Sequence, residues 1–152
     1  MRFVKETVIP ASVAEVFAFH ERPDAFELLQ PPWETVDIIQ PPSGLTVGTR
    51  VILRSKLGPF WQRIVAEHVA YQKDSHFEDV MVEGPFAAWH HRHRFLAEGE
   101  HCRLRDEIDY RAPLGWLGRL VDPLAIRPRL RRMFDHRHEV TRREVLAARG
   151  VD

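Results

Sequence analysis

With 152 residues, 22 basic against 22 acidic side chains and one cysteine, the chain has the length of a single domain and no formal net charge. Lone Cys102 excludes an internal disulfide and the zinc sites that need paired cysteines, and fits a reducing compartment. The N-terminus MRFVKETVIP lacks the apolar core of a signal peptide and no apolar run reaches the roughly 18 residues of a membrane span, so a soluble, cytoplasmic protein is expected.

Phe3 to Ile9 alternates as a strand. PASVAEVFAFHERPDAFELL then opens a helix at Pro10 and Ser12, whose hydroxyl can cap free amides, and breaks it at Arg22-Pro23. Asp24 is placed to cap a second, short helix through Leu29. From Trp33 to Tyr110 the period is two, predicting strands at 33–40, 49–57, 60–72, 75–82, 86–97 and 102–111. The separators are short, as in PPSG and Glu83-Gly84-Pro85, so the strands follow one another as antiparallel neighbours. The segment Pro113 to Gly118 is apolar and glycine-hinged, and is expected to border a cavity mouth and move on ligand entry. Residues 124–148 carry apolar positions three and four apart, the pattern of a long amphipathic helix, with Pro128 either near its start or at a kink. An α+β domain spanning 1–152 follows.

Charge is distributed unevenly. Residues 1–100 carry 14 acids and 10 bases, and residues 101–152 carry 8 acids and 12 bases. The run RPRLRR (Arg127 to Arg132) is read as the solvated face of the helix rather than a nucleic-acid contact, because base-reading motifs are missing and Asp135, Glu139 and Glu144 follow. No nucleic-acid partner is expected, and a homodimer is left open.

The stretch GPFAAWHHRHRF holds three histidines within four residues, and alternation divides them. Trp89, His91, His93 and Phe95 share one face, and His90, Arg92, Arg94 and Leu96 the other. In the next strand Leu104, Asp106, Ile108 and Tyr110 form the apolar, inward set. A two-residue loop at Gly99-Glu100 pairs His93 with Asp106 and Trp89 with Tyr110. Phe77, Asp79 and Met81 extend the inward row on the preceding strand. An apolar, aromatic lining with a few polar handles is the composition of a small-molecule pocket.

These motifs, FxDxM, GPFxxWxHxHxF, RDEIDYRAPLGWLG and MFDHRHE, resemble the SRPBCC superfamily of START-like, polyketide-cyclase-like proteins, and especially its bacterial ligand-binding group. Met81 stands where such relatives commonly show glutamine. The resemblance implies a helix-grip fold: a seven-stranded curved antiparallel sheet around a long C-terminal helix, two short helices after the first strand, and a ligand cavity between sheet and helix. It implies a small hydrophobic or aromatic ligand and no cofactor. Trp61, Phe77, Met81, Trp89, Phe95, Tyr110, Leu130 and Phe134 are expected to supply apolar area, with Asp79, His91, His93 and Asp106 orienting polar atoms. Arg137 is expected to face the sheet or an acid of the pocket, and His136 to be solvated. An alternative is an acid–base enzyme in which His91 or His93, held by Asp106, abstracts a proton from a polyketide-like substrate. The order His91-x-His93 with Glu98 also mimics a cupin metal motif, and Asp79 or Asp106 could complete a two-histidine, one-carboxylate set. No second cupin motif follows, so no metal is expected.

Overall fold

The computed structural model describes residues 1–113, 115–116 and 122–150. Strand β1 (Arg2–Ile9) leads into helices α1 (Val13–Glu21) and α2 (Ala25–Leu28). Strands β2 (Val36–Gln40), β3 (Arg50–Leu57), β4 (Phe60–Gln72), β5 (His76–Glu83), β6 (Ala88–Glu98) and β7 (His101–Arg111) follow as a meander. A π-helical turn at Asp122–Ile126 then opens helix α3, Arg127–Ala148. All strands join one antiparallel sheet in the order β1-β7-β6-β5-β4-β3-β2, so α1 and α2 carry the chain from one sheet edge to the other. This is the α+β, helix-grip arrangement.

Local chemistry sets the boundaries. Ser12 and Glu15 form a reciprocal capping box, with the Ser12 amide donating to Glu15 Oε2 at 2.8 Å. Asp24, in contrast, makes no cap to α2, because its carboxylate is taken by Arg22, whose Nε donates to Oδ1 at 2.8 Å. Strand β2 begins at Val36 rather than Trp33: the Glu34 amide closes a turn onto the Pro31 carbonyl at 3.0 Å, and the Trp33 ring docks on α3 beneath Arg132, 4.0 Å away. Pro128 falls in the first turn of α3, where a missing amide proton costs nothing. It therefore marks the start of the helix and not a kink. The Arg-rich run is spent locally, since Arg129 pairs with Glu34 and Arg127 Nε lies 3.5 Å from Asp122.

The outer face of the sheet is a lattice of opposite charges. His90 reaches Glu78 at 2.7 Å, Arg92 reaches Asp109 at 2.6 Å and Arg105 reaches Glu6 at 2.8 Å. The inner face holds two apolar clusters beneath the helices. One gathers Phe17, Phe77, Phe95, Cys102, Leu104, Val140 and Val145, and the other Phe3, Ile108, Tyr110, Leu130 and Phe134. Tyr110 also donates its buried hydroxyl to Asp122, fastening β7 to the π-helical turn and pushing the phenol up to about 12 through burial and the adjacent carboxylate. Burial likewise pushes the Cys102 thiol up to about 11, an inert core thiol.

Two consequences for stability can be measured. Phe134 is fully buried and bridges α3 to the sheet, with its ring 5.6 Å from Phe3 and edge-on to His91 at 5.2 Å. Phe134→Ala is expected to cost about 3–5 kcal/mol, read as a lower urea midpoint at unchanged slope. His20 closes the last turn of α1 on the Val16 carbonyl at 2.9 Å, facing His93 of β6, Asp106 of β7 and His138 of α3. Burial lowers its pKa to about 4, so the folded chain keeps it neutral where the unfolded chain protonates it. Stability is therefore lost as pH falls from about 6.5 towards 4, on the order of 3 kcal/mol, and this group adds no pH dependence above that window. His20→Phe should flatten the decline in urea midpoint between about pH 7 and about pH 4.5; an equal decline in both proteins would assign the acid sensitivity to other groups.

Candidate functional site

The β6–β7 hairpin turns through Gly99 and Glu100, and Gly99 adopts φ +61°, a left-handed conformation that glycine takes without strain. This turn sets the register His93 to Asp106 and Trp89 to Tyr110, as the sequence predicts. Pairing of β5 with β6 then places Asp79 opposite His91 and Phe77 opposite His93, whose rings stack at 4.0 Å.

Asp106 lies at the centre. Its Oδ1 receives His91 Nε2 at 2.8 Å, and His93 Nδ1 stands 2.7 Å from the same oxygen, off the line of a good hydrogen bond. Its Oδ2 receives His138 Nε2 at 2.6 Å, and the far nitrogen of that ring meets the Thr7 hydroxyl at 2.8 Å. Burial alone would raise this carboxyl, but electrostatic attraction from His93 and hydrogen bonds from the adjacent imidazoles hold it well below the usual carboxylate range. Asp79 is lowered in the same way, with burial outweighed by His91 and His93. For His91 burial opposes the charge, yet its hydrogen bond to Asp106 and the nearby Asp79 carboxylate lift it to about 9.

Above this network opens a cavity of about 710 Å³. Its walls come from β2 to β6, α1, α2, the π-helical turn and α3, with Leu53, Ile64, Phe86, Ile126, Leu130 and Met133 among the apolar contributors. Phe77, Asp79, Met81, Trp89, His91, His93, Leu130 and Arg137 all line it. Phe95, Asp106, Tyr110 and Phe134 are buried but stand behind the lining. The reason is placement: α3 packs over β1 and its side chains reach β7 through Leu130, Phe134 and His138, so residues there meet the helix, and Phe95 is taken by Phe17 of α1 at 4.9 Å. Trp61 corrects the expectation outright. It is 47% exposed on the outer face with Arg54 4.8 Å above its ring, because the inward row of β4 is Gln62, Ile64, Ala66 and His68.

Other residues were not singled out by the sequence patterns. His20 and His68 line the cavity, and His138 is the third ring on Asp106. A signal for His138 exists in the four-residue spacing Leu130, Phe134, His138, the buried stripe of α3. His136 is half-buried rather than solvated, edge-on to Trp33 at 5.2 Å, and burial lowers its pKa. Arg137 reaches the cavity with its Nε enclosed and, among the described residues, without a hydrogen-bond partner, 5.3 Å above the Phe134 ring. Burial lowers its pKa, opposed by the charges of Asp106, Asp79 and Glu34. Met81 packs on Gly84 so closely that a Cβ there would lie 2.3 Å from its sulfur. Of the segment expected at the mouth, Pro113 lines the cavity, while Leu114, Leu117 and Gly118 lie outside the described residues.

Comparison with known proteins agrees with this architecture. No curated protein matches the sequence. TTHA0849 from Thermus thermophilus superposes with a TM-score of 0.76 at 18% identity, over 97% of this chain and 99% of that one. A norcoclaurine synthase point mutant from Thalictrum flavum, in complex with a transition-state analogue, gives 0.73 at 17% identity over 98% and 96%. Ara h 8.0201 gives 0.69 at 13% identity over 97% and 98%. The model of one family, polyketide cyclase/dehydrase and lipid transport, matches residues 9–134, and the chain belongs to that family.

Proposed function

We propose that the protein binds a small hydrophobic or aromatic metabolite, of lipid, quinone or polyketide-like class, in the cavity between sheet and α3. The observation that carries this reading is the enclosed guanidinium of Arg137, short of a partner at the polar end of an apolar chamber of about 710 Å³. Chambers of about 300–1,000 Å³ with apolar walls and a few convergent polar groups are the usual form of small-molecule sites. A buried donor without a partner is costly, and a ligand oxygen would satisfy it. The ligand then lies with its apolar body against Leu53, Ile64, Met133 and Trp89, and an oxygen-bearing end towards Arg137 and the histidines.

A second reading, an acid–base cyclase or dehydrase, draws support from the family description and from His93, whose ring lines the cavity. It stands second because the obvious base is engaged: His91 turns one nitrogen to Asp106 at 2.8 Å and the other to Asp79 at 3.4 Å. The first nitrogen is hydrogen-bonded and the second faces a carboxylate that competes for any proton delivered there, so a substrate meets no unobstructed base.

An anionic probe, anilinonaphthalene sulfonate, and a neutral one, Nile red, test the binding reading on the folded protein. Both are expected to bind saturably. Arg137→Met should weaken the sulfonate about tenfold or more while leaving Nile red within a few-fold, because only the former uses the guanidinium. Absence of saturable binding by either probe would overturn the proposal.

A further inference from the structure

The polar end of the cavity carries a second chemical possibility, independent of any apolar occupant. We infer that Asp79, His91 and His93 form a binding site for one divalent first-row transition metal ion of the zinc, cobalt or iron(II) type. One donor atom from each residue lies within 4.8 Å of the other two. Asp79 Oδ2 is 3.4 Å from His91 Nδ1 and 3.5 Å from His93 Nε2. Those separations are long for charge-assisted hydrogen bonds, which run about 2.7–2.9 Å. They match the roughly 3.3–3.4 Å between neighbouring donors on one tetrahedral ion bonded at about 2.0–2.1 Å.

The far sides of both rings carry the second half of the argument. His91 Nε2 and His93 Nδ1, the nitrogens turned away from Asp79, both lie against Asp106 Oδ1, at 2.8 and 2.7 Å. Ligating imidazoles characteristically direct their other N–H to a carboxylate, which fixes the tautomer and the ring orientation. Asp106 is itself held in place by His138 at 2.6 Å. His91 is thus sandwiched between one carboxylate able to bind an ion and one that orients the ring, while His93 lies between the same two carboxylates with its Nδ1 close to Asp106 but off the hydrogen-bond line. Two nitrogens and one carboxylate oxygen suit borderline first-row ions and leave coordination positions unfilled. Since all three residues line the cavity, those positions face the ligand space, the arrangement of a reactive rather than a structural centre. Apolar ligand binding stands with or without this ion, so the two proposals fail separately.

The test uses protein purified without an affinity tag, stripped with a chelator, and titrated with zinc or cobalt alone. One equivalent is expected to bind, cobalt giving the visible bands of a low-coordinate site with nitrogen and oxygen donors. Zinc should shift the imidazole NMR signals of His91 and His93 and leave those of His90 in place. Asp79→Asn, similar in shape, should lose about tenfold or more in zinc affinity, whereas Glu98→Gln, removing the carboxylate of the cupin-like alternative, should bind as the parent does. Failure of the parent protein to take up one equivalent, or zinc signals confined to surface histidines, would overturn the assignment. Unchanged affinity in folded Asp79→Asn would overturn it equally.

Discussion

A carboxylate removed from water must find compensation inside the protein, and in this chain Asp106 finds it in three imidazoles within 2.8 Å. The rings come from β6 and α3, and Asp106 from β7, so one buried charge fixes the helix against these two neighbouring strands. Its neighbours two residues away, Leu104 and Ile108, belong to different apolar clusters. Polar cohesion therefore occupies the seam between two separate cores. Such a network specifies a single helix position more sharply than apolar contact alone, because a sliding helix would strand a charge as well as open a gap.

The same seam forms the floor of the chamber. α3 packs over β1 and reaches β7 through its side chains, and the chamber lies beside that contact, walled by β2 to β6. Asp79, His91, His93 and Arg137 gather on the part of its lining nearest the seam. Asp79 extends the network from the packed interior into that space.

Much of this was legible in the chain. Period-two alternation located the strands, with the β4 bounds matching and the others within a few residues, and the Gly99-Glu100 loop determined the β6–β7 register because only one pairing keeps both apolar faces inward. Trp61 was misplaced because size and aromaticity suggested an inward position, whereas the parity of β4 is set by the smaller residues Ile64 and Ala66. His138 stands out in the sequence only as a member of the cluster His136-Arg137-His138, because its stripe on α3 is flanked by charges and its role depends on Thr7 and Asp106, far away in sequence. Asp24 followed capping statistics until a neighbouring arginine competed for its oxygens. Local rules located the elements, and competition between distant partners decided the details.

The contact between Met81 and Gly84 bears on how the chamber could be resized. The thioether has room only because no side chain grows from position 84, so the sulfur lies folded back against backbone. Any larger residue there would swing that flexible arm inward and shorten the space available to a guest without touching the buried charges. A single methyl at a hairpin would then change the volume of the chamber two residues along β5 from Asp79, without altering any charged group.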